Sequence, residues 1–311
     1  MSVPIAVFAP SVSISITIEP GPDADDIHIH AGGQGIWVAR MLRQLGAAPV
    51  VVAPVGGESG RTLVGLTGEW GIDLQGIDTI GDTTTHVHDR RGGEREELAR
   101  SGERKLHRHE VDRLYHRFLE LALAAGRCVV TGPVHEDLLP MDTFRRLGAD
   151  LAVNDVAVAA DLHGSALTRF LAGGPITVLK VSSGDLVQDG RLADEDRDDD
   201  EAVAALTAQL ADDGVERVVV SRGGAPIFAR FPEGCFTASG PELQAVDTKG
   251  SGDSMTAALT LAHVDGLPPE RTLARAWAAG AANVTRHGLA SAATGLVDQL
   301  TERAEVKPWE G

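Results

Sequence analysis

The most informative part of the sequence is Val246-Asp-Thr-Lys-Gly-Ser-Gly-Asp-Ser-Met255, which precedes an apolar run with helical spacing. Gly250 and Gly252 flank the small Ser251 and permit a tight turn, so main-chain amides would point outward where the helix begins. Those amides and the helix dipole would stabilise negative charge at this position. Asp253 lies at the rim of the turn, where its carboxylate could take a proton from an attacking hydroxyl group or could simply cap the helix. The stretch therefore predicts either a catalytic anion site or a capped glycine turn.

Outside this stretch, runs with helical and strand spacing alternate along the chain. Near the N-terminus the strand-like runs are Ile5–Ala9, Val12–Ile18, Ile27–His30, Pro49–Val55 and Gln75–Ile80, and the helix-like runs are Gly32–Gly46 and Gly60–Trp70. The later helix-like and strand-like runs are Glu110–Ala125, Cys128–Thr131, Leu151–Val153, Ser165–Leu171, Thr177–Lys180, Glu201–Asp212 and Arg217–Ser221. This alternation predicts βα units and an α/β fold with a mainly parallel central sheet flanked by helices. We expect a single domain over residues 1–311.

A polar segment between residues 83 and 100 interrupts this alternation. It is rich in His and Arg and alternates in places, which is typical of exposed strands. With strands within residues 12–30, it predicts a small second sheet. Histidines at i and i+2 would share one face of such a strand, but no Cys or acidic residue accompanies them at the spacing of a zinc site. We therefore interpret the following side chains as the lining of one face of this sheet: His86, His88, Arg90 and Arg91.

The charge balance and the cysteines argue against several classes of protein. Lys and Arg total 28 against 45 Asp and Glu, a net charge of -17, which repels nucleic acid and anionic membrane surfaces. Cys128 and Cys235 are far apart and lack metal-ligand spacing, so no disulfide framework is expected. The N-terminus has no signal-peptide pattern, and no run approaches the roughly 18 apolar residues of a membrane span. We expect a cytoplasmic protein without nucleic-acid or membrane partners.

Four segments resemble those of a known family. Asp247-Thr-Lys-Gly-Ser-Gly-Asp-Ser254 resembles the signature D-T-x-G-A-G-D-S of the ribokinase-like (PfkB) family of carbohydrate kinases. In the same order along the chain, Gly32-Gly-Gln-Gly-Ile-Trp-Val-Ala-Arg40 resembles G-G-K-G-x-N-x-A-R, and Gly56-Gly-Glu-Ser-Gly60 resembles the next glycine-rich turn. Ala278-Ala-Gly-Ala-Ala-Asn-Val-Thr-Arg-His-Gly288 resembles the adenine-side helix of the 1-phosphofructokinase and tagatose-6-phosphate kinase branch. The resemblance extends over nearly the whole chain.

This resemblance implies a ribokinase-like core with a small β-sheet lid, built from strands within residues 12–30 and 83–100. It also implies ATP as phosphoryl donor, Mg²⁺ as cofactor, and transfer to a hydroxyl group of a sugar or sugar phosphate. Asp253 would be the base, and the amides of Gly250, Ser251 and Gly252 would form the anion hole. The residues that match the family's nucleotide side are Lys180, Ser221, Gly223, Ala279, Ala282 and Asn283, although tight helix packing would explain the alanines equally well. Lid strands in this family often pair across a homodimer.

The sequence departs from the family pattern mainly where the acceptor would bind. Ser15 stands at the position of a carboxylate that grips two sugar hydroxyl groups. Gln34 and Thr84 replace a Lys and an Arg, so two charge-assisted contacts to a substrate phosphate are missing. The other residues at acceptor positions are Gly32, Gly33, Trp37 and His86. On the metal side, Asp185 replaces a Glu, so Mg²⁺ would be held less firmly or in a different way.

Three hypotheses follow from these matches and departures. The first is an ATP-dependent sugar kinase with an altered acceptor pocket. The second is ordinary sugar-phosphate specificity, with Arg40 or Arg90 replacing the lost cations. The third is a regulatory protein that binds a nucleotide or sugar phosphate with little turnover. The intact Gly-Ser-Gly-Asp sequence favours an enzyme, whereas the changes at Ser15, Gln34 and Thr84 favour a binding protein.

Overall fold

A computed structural model describes residues 2–102, 105–285 and 290–311 of the chain. Its strands are β1 (Pro4–Phe8), β2 (Ser13–Glu19), β3 (Asp26–Gly32), β4 (Ala48–Val55), β5 (Asp73–Asp78), β6 (Thr84–Asp89), β7 (Glu96–Arg100), β8 (Arg127–Thr131), β9 (Ala157–Asp161), β10 (Ile176–Ser182), β11 (Val215–Arg222), β12 (Ala225–Phe231), β13 (Gly234–Ser239) and β14 (Glu305–Trp309). Its helices are α1 (Gln34–Gln44), α2 (Gly57–Glu69), α3 (Arg108–Ala125), α4 (Asp142–Val153), α5 (Gly164–Leu171), α6 (Ser183–Gln188), α7 (Asp200–Asp212), α8 (Ser251–Val264), α9 (Pro269–Val284) and α10 (Thr294–Thr301).

Within the described residues, the large sheet contains ten strands in the order β14-β13-β12-β11-β10-β9-β8-β1-β4-β5. The strands from β11 to β5 pair in parallel, which confirms the mainly parallel sheet. At one edge β12, β13 and β14 join in antiparallel pairing, which the alternating runs of the sequence did not predict. Because parallel strands place their carboxyl ends at the same edge, side chains that follow β9, β10 and β11 are brought together there.

Helices cover both faces of the large sheet, and each face has its own apolar core. Side chains of α1, α8, α9 and α10 pack on one face. Side chains of α3 to α7 pack on the other, where the rings of Phe8 and Phe118 lie 5.0 Å apart. Strand β1 contributes Val7 to the first core and Phe8 to the second, as expected for a strand that is buried on both faces. This packing fixes α8 against β9 and β10.

The second, smaller sheet has the order β3-β2-β6-β7, and we call it the lid after the expectation from the sequence. Its polarity is the reverse of the usual arrangement, in which the apolar face is buried. Ser15, Thr17 and His88 are buried, whereas Ile27 and Ile29 are 64% and 48% exposed. The strand register places Ser15 beside His86, and Ile29 beside Ile16 on the opposite face. The lid therefore turns polar side chains toward the body of the protein and apolar side chains toward solvent.

Helix α4 and strand β9 are among the elements that the predicted alternation truncated or lacked. Of helix α4 only the last turn, Leu151–Val153, was among the predicted runs, because a three-residue apolar run has no readable period. Strand β9 has the sequence Ala-Val-Ala-Ala-Asp, and alanine and aspartate have low strand propensity. None of the helices in the described residues combines the length and apolar character that crossing a bilayer requires.

Candidate active site

The glycine turn and Asp253 lie at the N-terminus of α8. Gly250 is the N-cap, and its φ of 78° belongs to the left-handed region that favours glycine. Its carbonyl accepts hydrogen bonds from the amide of Ser254 at 3.0 Å and from Ser254 Oγ at 2.8 Å. Asp253 is in the first turn of the helix and is 7% exposed. Because Gly250 occupies the cap position, the alternative of Asp253 as a simple N-cap is wrong.

Asp253 belongs to a buried group of charged side chains. Lys180 lies at the end of β10, and its Nζ is 3.5 Å from Asp161 Oδ2. Thr256 Oγ1 donates to the same oxygen at 3.0 Å. The Lys180 amine also packs directly on Gly252, since a Cβ at this glycine would stand 2.5 Å from Nζ. Gly252 therefore lets the ammonium group approach the helix N-terminus, where anionic charge is stabilised.

The electrostatics of this group favour proton transfer. Burial raises the pKa of Asp253 above its ordinary value, the charge of Asp161 raises it further, and Lys180 opposes both effects. Burial also disfavours charge on Lys180, but the carboxylates of Asp161 and Asp253 outweigh this effect and raise the pKa of the amine. A buried carboxyl group with a raised pKa beside a fixed cation is typical of a catalytic base.

A cavity of about 740 Å³ lies between the ends of β10 and β11, the β11–β12 turn and helices α8 and α9. Of the predicted nucleotide-side and anion-hole residues, the following line it: Lys180, Ser221, Gly223, Ser251 and Gly252. Gly223 has a φ of 62° and forms the tight β11–β12 turn. The size and position of the cavity suit a nucleotide whose phosphates reach the N-terminus of α8.

Helix α9 contributes to this cavity through a different face than the one predicted. Ala279 and Ala282 are fully buried in the core, so the alternative of tight helix packing describes them. Their neighbours line the cavity instead, namely Trp277, Gly280, Ala281 and Val284. Successive residues of a helix point about 100° apart, and a motif match does not determine which face turns toward a ligand. Of the matched segment, residues 286–288 lie outside the described part of the chain.

Asn283 and Asp185 have structural partners. Asn283 is buried, donates from Nδ2 to the carbonyl of Lys249 at 2.7 Å and accepts from the amide of Ala290 at 2.6 Å. It therefore holds the loop that precedes the glycine turn. Asp185 forms a capping box with Ser182 at the start of α6, and both hydrogen bonds that its carboxylate accepts from Ser182 use Oδ2.

The predicted acceptor residues come together where the lid meets α1. Along the strand register Ser13 stands between Gly32 and Thr84, and Ser15 stands beside His86. Gly33 caps α1 with a φ of 109°, and a Cβ there would lie 2.5 Å from the carbonyl oxygen of Ser11. Gln34 begins the helix at this point. The indole nitrogen of Trp37 donates to the carbonyl of Ala31 at 3.2 Å, so this residue is committed to the main chain.

The two arginines that we considered as replacement cations have other contacts. The guanidinium of Arg40 stacks 3.9 Å from the centre of the Trp70 ring. Arg90 Nη1 lies 3.1 Å from Asp247 Oδ2 and 3.7 Å from Glu19. This ion pair joins the lid to the loop that leads into α8.

The lid also contains a basic residue that sequence reasoning missed. Arg95, between β6 and β7, donates from Nη2 to Ser15 Oγ at 3.0 Å. No motif spacing could have indicated this contact, because the two residues are 80 positions apart. Nearby, strand β7 supplies an acidic partner to the histidine pair: ligand atoms of His86, His88 and Glu97 lie within 4.8 Å of one another.

Comparisons with known proteins identify the family of this chain. The sequence model for "pfkB family carbohydrate kinase" matches residues 5–294, and the chain therefore belongs to the PfkB family of carbohydrate kinases. The ATP-dependent 6-phosphofructokinase isozyme 2 of Escherichia coli (strain K12) is 26% identical over 260 residues, which are 83% of this chain and 82% of that protein.

Solved structures share the fold over almost the entire chain. The Y23D mutant of phosphofructokinase-2 from Escherichia coli has a TM-score of 0.84 at 24% identity, covering 96% of this chain and 98% of the other. The ribokinase of Arabidopsis thaliana complexed with ribose and ATP has a TM-score of 0.74 at 20% identity, covering 97% and 99%. At these identities the likeness establishes the fold, which is the expected ribokinase-like core with a second, smaller sheet.

Proposed function

We propose that this carbohydrate kinase transfers a phosphoryl group from ATP to a hydroxyl group of a sugar or sugar phosphate, with Asp253 as the base. The observation that carries the proposal is the position of Asp253, buried at the N-terminus of α8 beside Lys180 and Asp161. The relative that is 26% identical is described as ATP-dependent, which supports ATP as the donor.

The geometry supports a division of roles. Asp253 would accept the proton of the attacking hydroxyl group, because its raised pKa brings it closer to that of the group it deprotonates. The amides of Gly250, Ser251 and Gly252, with the α8 dipole, would stabilise the negative charge on the transferred group. The amide of Ser251 also donates to the carbonyl of Thr248 at 3.3 Å, which is long enough to be exchanged for a ligand oxygen.

Magnesium is the expected metal, and the residues at the end of β10 suit it. Asp185 uses Oδ2 for its capping box with Ser182, and the other carboxylate oxygen is of the kind that Mg²⁺ prefers. Bound there, Mg²⁺ would neutralise phosphate charge on the donor. Asp185 would hold the metal directly or through water, while α6 keeps the carboxylate oriented.

The lid surface supports a homodimer, as its exposed side chains have the wrong polarity for a solvent-facing sheet. Ile27 and Ile29 lie on the face opposite the buried Ser15. Pairing of two lids would cover these isoleucines, which would otherwise cost free energy in water. Light scattering should therefore give twice the mass of the chain, and Ile29→Glu should shift it toward the monomer.

An acceptor screen tests the kinase proposal against the regulatory alternative. Formation of ADP is measured with Mg²⁺ and ATP for neutral sugars, sugar phosphates, sugar acids and nucleosides, and calorimetry measures ATP binding separately. We expect ATP to bind with a Kd between about 1 mM and 1 μM and at least one acceptor to support turnover. ATP binding without turnover on any acceptor would favour the regulatory protein, and absence of ATP binding would overturn both proposals.

A further inference from the structure

Basic side chains line the junction between the lid and the loop that leads into α8. Arg95 contacts Ser15 Oγ at 3.0 Å. Lys249 in that loop and His88 on β6 lie close enough for their charges to interact with that of Arg95. We call Arg95, Lys249 and His88 the basic cluster.

The basic cluster has hydrogen-bonding capacity that the rest of the described chain leaves unused. Nε of Arg95 is buried and has no hydrogen-bond partner among the described residues. His88 is 7% exposed, and its Nδ1 likewise has no partner within residues 2–102, 105–285 and 290–311. A buried polar atom costs free energy when it has no partner. These two nitrogens indicate a place for a polar ligand.

The carboxylates near the basic cluster form their ion pairs with other residues, although Asp247 Oδ1 also accepts from the main-chain amide of Lys249 at 2.9 Å. Asp247 pairs with Arg90 at 3.1 Å, and Glu97 pairs with a histidine of β6 at 3.0 Å. Across the described part of the chain, no carboxylate oxygen lies within 4.0 Å of a side-chain nitrogen of Arg95 or Lys249. Two positive groups are thus left without an ion pair in a partly closed site.

Burial and neighbouring positive charges both disfavour protonation of His88 and Lys249. Burial and then the charges of Arg95 and Lys249 lower the pKa of His88 to about 4, so this ring is neutral near pH 7. Lys249 is exposed as a whole, yet partial desolvation of its amine and then the charge of Arg95 lower its pKa. The part of this effect that comes from the charges of Arg95 and Lys249 is a positive field, which also opposes a metal cation and attracts an anion.

The charge beside Ser15 is opposite in sign to the charge that the family pattern implies there. That pattern has a carboxylate where Ser15 stands, and a carboxylate can accept hydrogen bonds from two hydroxyl groups. Here a guanidinium group contacts the serine hydroxyl, so the site offers donors and a positive charge. Hydroxyl groups of a neutral sugar lose their strongest acceptor, and an anionic group gains charge-assisted donors.

We propose that the acceptor carries an anionic group, a phosphate or a carboxylate, that Arg95 and Lys249 bind beside Ser15. The proposal rests on the kinase function and specifies its substrate class: a sugar phosphate or a sugar acid rather than a neutral sugar. The guanidinium of Arg95 can donate two hydrogen bonds to either group, and Lys249 adds a point charge.

A metal ion on the three neighbouring ligands of the lid is the competing use of this site. The ligand atoms of His86, His88 and Glu97 lie within 4.8 Å of one another. A divalent cation at His88 would, however, be repelled by Arg95 and Lys249, whose charges already lower the pKa of that ring. The anion is therefore favoured.

Matched acceptors and matched lid variants test the proposal. Initial rates of ADP formation are compared for fructose against fructose 6-phosphate, ribose against ribose 5-phosphate, and glucose against gluconate. We expect the best anionic acceptor to exceed its neutral partner by about 100-fold in kcat/KM, and Arg95→Gln to raise its KM by about 10- to 100-fold with the KM for ATP unchanged. Arg91→Gln is the control, because Arg91 lies in the same connection but pairs with Asp89 and Asp25.

Calorimetry provides a readout that does not depend on turnover. Titration of the same anionic sugar should give a Kd that Arg95→Gln raises and Arg91→Gln leaves unchanged, with circular dichroism confirming that both variants are folded. Preference for neutral sugars would overturn the inference while leaving the kinase function intact. If no acceptor is turned over, the kinase proposal fails. In that case, loss of anionic-sugar binding in Arg95→Gln would still support the anion site at Arg95. Absence of any such binding, or zinc binding that displaces the sugar, would overturn it.

Discussion

On the proposed donor side, Lys180, Gly252 and Asp253 are held by the large sheet and α8. On the proposed acceptor side, Ser15, Gln34 and Thr84 belong to the lid and the start of α1. The donor residues match the family pattern at every one of these positions. The three acceptor residues all differ from the family pattern, and each difference removes a charged side chain. The two sides of one site have therefore been changed to very different extents.

Packing explains part of this difference. The Lys180 amine, the Asp161 carboxylate and Thr256 are buried against each other, and Gly252 leaves no room for a Cβ beside that amine. Loss of the Lys180 amine would leave the buried Asp161 carboxylate without its ion pair, and a side chain at Gly252 would push that amine out of place. The lid side chains Ser15 and Thr84 are buried but uncharged, so their replacement removes no partner of a buried ion pair in the core. The chemistry is constrained by the fold, and the specificity is much less so.

The largest effect should come from Asp253→Asn. The amide fits the same turn but cannot accept the hydroxyl proton, so kcat should fall by about 10²- to 10⁴-fold while ATP binding is retained. Steady-state kinetics on the acceptor identified by the screen, with calorimetry for ATP, measures both. Asp265→Asn makes the same chemical change at the other end of α8, where the carboxylate pairs with Arg275, and should have no effect on kcat. An unchanged kcat in Asp253→Asn would remove the catalytic role.

Restoring the family's charges on the acceptor side should have the next largest effect. Fructose 1-phosphate and tagatose 6-phosphate should be poor acceptors, since each missing charged hydrogen bond is worth about 1.5–3 kcal/mol. The triple change Ser15→Asp, Gln34→Lys and Thr84→Arg should raise kcat/KM for both by about 10- to 100-fold. Because Thr84 is buried, the double change without it serves as a second test.

The same restoration has an opposite consequence for the basic cluster. An aspartate at position 15 would pair with Arg95, which lies 3.0 Å from Ser15 Oγ, and would neutralise it. Ser15→Asp alone should therefore lower kcat/KM for the anionic acceptor that the wild type prefers. Efficient turnover of both family sugar phosphates by the unmodified protein would mean that the acceptor pocket has kept its specificity.

A smaller effect is expected from Asp161→Asn, measured in the pH profile. The charge of Asp161 raises the pKa of Asp253, and the base works only when it is deprotonated. Removing that charge lowers the pKa, so the acidic limb of kcat/KM should move to lower pH. Thr256 can still donate to the amide oxygen, which limits structural change. If the acidic limb of the kcat/KM profile does not move, a group other than Asp253 controls it.

The sequence predicted the parts of this site that are local in the chain. Asp253, Gly250 and Gly252 lie within one turn, and their spacing carries the geometry. Lys180 was assigned by motif, but its pairing with Asp161 depends on the register of β9 and β10, and β9 was not predicted. Arg95 could not be found, because it reaches Ser15 only through the pairing of the lid strands.

The sequence also did not show which face of helix α9 turns toward the cavity. Ala279 was assigned to the nucleotide by its motif, yet it faces the core, while Gly280 and Ala281 line the cavity. All three residues are small, so composition does not distinguish the two faces. The parallel sheet, by contrast, follows from alternating runs that many residues support, and the loss of α4 and β9 from the prediction did not change the fold class.

The smallest expected effect is on the thermal stability of the protein, and it should appear at Asp253 but not at the acceptor residues. Folding raises the pKa of Asp253 above its ordinary 3.8, so the folded state favours the protonated carboxyl group. Stability is therefore lost as the pH rises from 3.8 through the raised pKa, and above it the ionised carboxylate destabilises the fold. The neutral amide of Asp253→Asn removes this cost and should raise Tm at pH 8 by about 2–5 °C, in the same variant that loses activity.

Calorimetric unfolding at two pH values checks this assignment. Near pH 4, where the wild-type carboxyl group is mostly protonated in the folded state, the two Tm values should converge, because neither side chain is charged. Asp265→Asn, whose carboxylate is exposed, should show no such convergence. Gln34→Lys should leave the pH dependence of Tm unchanged, since Gln34 begins α1 and does not belong to the buried charged group. A Tm for Asp253→Asn below that of the wild type at pH 8 would mean that Lys180 gains more from the ionised Asp253 than burial costs.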